Sequence, residues 1–152
     1  MQAGKEYLET LLSYYEEEVS GETYFYGLIN HFGEEEKLTL LARVERRAAE
    51  SVVPLLQKYN LVPRDEAVLK TVGEGHADRN EHTRWRDFMT YIVTRYQGYL
   101  DDFARLENMA PEADLYALNT LTAHEVAAIE FAEKELANDP DSVAPLRRYL
   151  QL

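Results

Sequence analysis

Apolar residues recur at spacings of three and four along most of this chain, and no stretch sustains the period-two alternation of a strand. That pattern predicts an all-α protein. Segment A, 6–32, carries the seam Leu8, Leu12, Tyr15, Val19, Glu22, Tyr26 and Ile29, and Gly33 follows as a helix stop. Segment B, 34–59, carries Leu38, Leu41, Glu45, Ala48, Val52, Leu55 and Tyr59. Pro54 lies inside it and is expected to kink or break the helix near Glu50. Segment C, 79–109, has the stripe Trp85, Met89, Ile92, Tyr96, Tyr99, Phe103 and Leu106, with Asp78 and Glu81 reading as a capping box. Segment D, 112–138, has Leu115, Leu118, Thr122, Glu125, Ile129, Ala132 and Leu136. A short amphipathic tail helix is expected over 142–151, with Val143, Leu146 and Leu150 facing inward.

The connections order these helices. A turn at Gly33 makes A and B an antiparallel hairpin, and the turn at Met109-Ala110-Pro111 does the same for C and D. The stretch 60–78 is longer than neighbouring antiparallel helices need. It predicts a crossover along the length of the protein, with a short helix over 65–72 and a break at Gly73-Glu74-Gly75. The expected whole is one domain, 1–152.

A carboxylate interrupts the seams of A, B and D, at Glu22, Glu45 and Glu125. An isolated charge in an apolar seam is costly, so each acid is expected to be protonated, paired or bound to a cation. Leu41-x-x-x-Glu45-x-x-Ala48-x-Glu50 recurs 80 residues on as Leu121-x-x-x-Glu125-x-x-Ala128-x-Glu130, and the same offset carries Glu22 onto Asp102. At 1.5 Å per residue, Glu22 and Glu45 both lie roughly 17 Å from the Gly33 turn, so they face one another. Asp102 lies beside the Tyr99–Phe103 seam, so either it or Tyr96 and Tyr99 completes the layer. Gly21 and Gly98, near the same level, would leave room for it. Acids gathered at one level repel unless they share protons or bind a cation, and oxygen donors suit iron, manganese and magnesium.

In this arrangement the chain resembles the ferritin-like, rubrerythrin-type carboxylate bundles, which place a Glu on two helices and Glu-x-x-His on the other two, joined by a long crossover. The resemblance implies a ferritin-like four-helix bundle with a short C-terminal helix. By that match Glu22 is the lone acid of the first helix, Glu45 and Glu125 are the acids of the two Glu-x-x-His motifs, and Asp102 stands for the remaining one. Both histidine positions are alanine, Ala48 and Ala128. His124, one residue before Glu125, either enters an altered site or hydrogen-bonds a carboxylate from its flank. His31, His76 and His82 are expected at the surface or in turns. The implied metal set is therefore Glu22, Glu45, Asp102, Glu125 and His124, with iron or manganese as cofactor and oxidoreductase-like or metal-sequestering activity. The alternative is a metal-free ferritin-like bundle serving as an interaction or structural module.

Composition narrows the rest. The chain has 28 acidic and 16 basic residues, net charge -12, which repels nucleic acid and anionic lipid and attracts cations. It has no cysteine, so disulfides and thiolate metal sites are excluded. No apolar run reaches a membrane span, and 1–9 is polar, so a cytoplasmic protein is expected. No nucleophile motif or phosphate-binding glycine loop is present. Leu11, Phe25 and Phe32 flank the seam of A and are candidates for a homodimer stripe.

Overall fold

A computed structural model describes residues 3–152, and these are all-helical, without strands. Six helices follow in order: α1 (Lys5–Phe32), α2 (Glu35–Lys58), α3 (Glu66–Asp78), α4 (Trp85–Met109), α5 (Leu115–Leu136) and α6 (Ala144–Leu150). A single 3₁₀ turn, Glu112–Asp114, leads into α5. Gly33 closes α1 in the left-handed region at φ 70, its N–H bonded to the Ile29 carbonyl, a conformation glycine adopts without strain. No helix among the described residues is long and apolar enough to cross a membrane.

Cross-helix partners fix the directions. Tyr7 meets Tyr59 and Glu22 meets Arg46, so α1 and α2 run antiparallel. Phe103 meets His124, and Trp85 meets Phe131 and Glu135, so α4 and α5 do too. Lys37 reaches Glu135 and Lys58 reaches Asp114, which sets α2 antiparallel to α5 along its length. Tyr14 against Phe103 and Phe32 against Phe88 set α4 antiparallel to α1. Helices α2 and α4 therefore point the same way, and α3 carries the chain back between them.

Helix α3 differs from expectation. It begins at an Asp65 cap, whose side chain accepts from the Ala67 N–H, and it runs through Gly73-Glu74-Gly75 rather than breaking there. The two glycines cost helix stability in isolation, but tertiary contact outweighs that cost. Gly73 lies against the Ser20 carbonyl and the Thr23 hydroxyl, and Gly27 against Ala77. Ser20 Oγ and Thr23 Oγ1 donate to the Leu69 and Lys70 carbonyls, at 3.1 and 3.0 Å. Two further boundaries are corrected. Asp78 ends α3 instead of capping α4, which starts seven residues later at Trp85. Pro54 does not break α2, which continues to Lys58.

The seam of α1 is also corrected. Its buried residues are Tyr7, Leu11, Glu18, Val19, Ser20, Phe25 and Leu28, while Tyr26 is 40 % exposed. The main stripe thus lies one residue before the expected one, a rotation of about 100°. Leu11 and Phe25, offered above as a dimer stripe, are in the core, and Phe32 stacks on Phe88 at 5.3 Å. The apolar interior divides into two main clusters. One gathers Phe25, Leu28, Leu38, Phe88, Ile92 and Phe131, and the other Tyr7, Leu11, Val52, Leu55, Leu106 and Leu118. Glu18, Glu45 and His124 come between them in chain level on their helices.

At the far end, the buried Asp114 carboxylate accepts from Tyr7 Oη (2.7 Å), Tyr59 Oη (2.5 Å) and Lys58 Nζ (2.6 Å). Burial pushes this carboxyl up, but the hydrogen bonds from Lys58, Tyr59 and Tyr7 outweigh it and hold the group below the usual aspartate value. A depressed carboxylate lends stability above its unfolded pKa of about 3.9 and loses it as pH falls through the folded value. Asp114→Asn is expected to cost about 1–3 kcal/mol at neutral pH, because one acceptor becomes a donor facing two hydroxyls. In urea titrations, the wild-type and variant stabilities should converge as pH falls through the folded Asp114 value.

Candidate metal centre

Three buried donors from three helices converge. His124 Nε2 of α5 lies 2.7 Å from Glu18 Oε2 of α1 and 2.9 Å from Glu45 Oε2 of α2, with Glu125 Oε2 at 3.5 Å. One donor atom each from Glu18, Glu45 and His124 falls within 4.8 Å of the others. These short approaches lack hydrogen-bond geometry, and all three atoms are buried without a hydrogen-bond partner. Each orphaned buried polar atom costs about 1–3 kcal/mol, so the arrangement is expensive as a structural device.

Local structure sets each donor. His124 Nδ1 bonds the Leu121 carbonyl one turn back. Since a carbonyl only accepts, Nδ1 carries the proton, and in the neutral ring the Nε2 lone pair points at the two carboxylates. Phe103 and Tyr149 cover the imidazole, with ring centroids at 5.6 and 6.3 Å. Gly21 makes room for Glu45, because a Cβ there would stand 2.7 Å from Glu45 Oε1.

Burial and the charge of Glu45 raise the Glu18 carboxyl well above its ordinary value. The Glu45 donor oxygen is also shielded from solvent, yet the neighbouring Glu18 and His124 bring its carboxyl below the ordinary range. Burial alone would lower the His124 pKa, but Glu18, Glu125 and Glu45 outweigh it and raise it well above 6.5.

Glu125 stands apart from that triad. It is 5 % exposed, and burial pushes its carboxyl up to about 8, with His124 opposing and Glu45 and Glu17 adding. A raised carboxyl favours the fold below its unfolded pKa, and that support is lost as pH rises toward the folded value. Glu125→Gln removes this titration. In metal-free protein, melts should show the variant near wild type at about pH 5 and progressively more stable than it toward pH 8.

Of the residues expected in the site, the structure brings together Glu45, Glu125 and His124. Glu22 is turned to Arg46, 2.7 Å from its Nη2, and that guanidinium also holds Glu66 at 2.8 Å. Asp102 is half-buried and paired with Arg105 one turn along α4. Tyr96 is buried on that side, and burial, with smaller contributions from Tyr24, Glu125 and Glu45, raises its hydroxyl pKa. Glu18 is the convergent donor that sequence reasoning missed. The offset of 80 relating Glu45 to Glu125 carries Glu18 onto Gly98, so α4 supplies no matching acid. Gly98 has open space around it and makes room for nothing. His31 and His76 are exposed, while His82 is half-buried against Phe88 and Tyr91.

No family model, curated protein or solved structure matches this chain.

Proposed function

We propose that the chain is a ferritin-like four-helix bundle, with α1–α2 and α4–α5 as its hairpins and α3 in its crossover. In this reading it holds one divalent ion, iron or manganese, at Glu18, Glu45 and His124, for oxidoreductase-like or metal-sequestering activity. One observation carries the proposal: three buried donor atoms from three helices face a common point and have no hydrogen-bond partner. Two carboxylates and an imidazole are a donor set suited to these ions. A bound ion would supply Lewis-acid or one-electron chemistry. The protein's own part is to position the donors. The Leu121 carbonyl fixes the His124 tautomer, Phe103 and Tyr149 hold the ring, and Gly21 admits the Glu45 carboxylate.

The direct test is elemental analysis of protein purified without chelator. Iron or manganese approaching one ion per chain, lost in His124→Ala, is the expected result. Metal at background level, together with a melting temperature indifferent to added ions, overturns the reading in favour of a metal-free structural or interaction module.

A further inference from the structure

A cavity of about 640 Å³ opens over the carboxylate layer, lined by α1, α4, α3 and the 79–82 segment at the end of α3. That volume falls within the ordinary range for a small-molecule site, about 300–1,000 Å³. Its lining combines two features. Tyr24, Tyr91, Tyr96 and Tyr99 supply aromatic surface, with the Tyr96 and Tyr99 rings 5.3 Å apart and nearly perpendicular. Glu125 lines it too, more than nine-tenths buried and accepting no hydrogen bond among the described residues. A second lining acid, Glu17, faces the cavity without an ion pair among the described residues.

From this combination we propose that the cavity binds an organic amine in its cationic form. The ammonium would sit against Glu125 and Glu17 and over the tyrosine faces. A cation within about 6 Å of an aromatic centroid is attracted by the ring quadrupole, and desolvation strengthens that attraction. Glu125 Oε2 lies 3.5 Å from His124 Nε2 without a hydrogen bond, and an ammonium donor would satisfy its carboxyl oxygens. The basic lining groups do not replace the ligand in this role. Arg64 is tied to Glu16 at 3.3 Å, the His82 ring packs on Phe88 and Tyr91, and His76 and Arg79 are solvent-exposed on α3 and at its end. The net charge of -12 adds long-range attraction for a cation. Glu18 and Glu45 also line this cavity, but Glu125 and Glu17 are not among the three convergent donors, so the amine site goes beyond the metal reading.

Calorimetric titration of the full chain, stripped with chelator, tests this with benzylamine, phenethylamine and choline. Benzyl alcohol serves as the neutral control and benzoate as the anionic one. At least one of the three cations is expected to bind with a sub-millimolar Kd, at least tenfold tighter than either control. Glu17→Gln, at an exposed position that leaves folding intact, and Glu125→Gln should each weaken that cation at least fivefold and leave benzyl alcohol unchanged. Three results overturn the proposal: no cation binds, the controls bind equally well, or both Gln variants keep wild-type affinity. His124→Ala separates the two readings, because it should abolish metal uptake while amine binding to the stripped protein persists.

Discussion

Adding manganous or ferrous ion to chelator-stripped protein is expected to raise the melting temperature by about 5–10 °C once the ion reaches 100 times its Kd. An ion that binds only the folded state contributes about 2.7 kcal/mol at that ratio, and a chain of this length gains about 2–4 °C per kcal/mol. Glu18→Ala, Glu45→Ala and His124→Ala should each remove the shift, since each deletes one convergent donor. Glu22→Ala and Asp102→Ala should retain it, because their carboxylates are committed to Arg46 and Arg105. That contrast separates the observed geometry from the arrangement the sequence pattern suggested. If Glu22→Ala abolished the shift and Glu18→Ala did not, the site assigned here would be wrong. The shift should also shrink in acid. Metal displaces protons from its ligands, and the Glu18 and His124 pKa values are both held above their ordinary values. Affinity therefore climbs with pH through the neutral range.

Gly73→Ala and Gly98→Ala, the same chemical change in two helices, should act in opposite directions. A Cβ on Gly73 would clash with the Ser20 carbonyl oxygen and Thr23 Oγ1, and the carbonyl belongs to the backbone of α1, which cannot yield as a side chain can. Relief requires α3 to move off α1, which strains the bonds from Ser20 and Thr23 to the Leu69 and Lys70 carbonyls. The expected loss is about 3 kcal/mol, at the upper end for overpacking. A Cβ on Gly98 meets open space, so alanine there should gain about 0.5–1 kcal/mol from helix propensity. Thermal melts of the two variants check both signs. A neutral Gly73→Ala would mean that α3 is not seated on α1 as described.

The helical character of this chain was legible because 3.6-residue periodicity is a local property. The stripes of α2, α4 and α5 were also readable in large part. Leu41, Ala48 and Val52, Ile92 and Phe103, and Leu118 and Ile129 are buried as their spacing indicates. Glu45 and Glu125 stood out as acids within such stripes. On α1 the same logic met two parallel candidates. Tyr7, Leu11, Tyr14, Glu18, Gly21, Phe25 and Leu28 share the spacing of Leu8, Leu12, Tyr15, Val19, Glu22, Tyr26 and Ile29, one residue apart. Both are apolar because α1 has neighbours in α2, α3 and α4, and a helix covered on several sides carries more than one greasy face. Choosing the wrong stripe named Glu22 in place of Glu18.

What the sequence by itself determined, then, was an all-helical chain, the approximate course of its long helices and the presence of acids at mid-helix. These follow from residue spacing along one axis. Which acids meet depended on how each helix is rotated about that axis, and packing sets the rotation. Tertiary structure placed Glu18 and His124 with Glu45, turned Glu22 to Arg46 and Asp102 to Arg105, and seated α3 on α1 through Gly73. It also buried His124, because α6 brings Tyr149 over the ring on a side of α5 that the stripe pattern left unassigned. A side chain's place along a helix is written in its own neighbourhood, whereas its partners depend on contacts between residues distant in the chain.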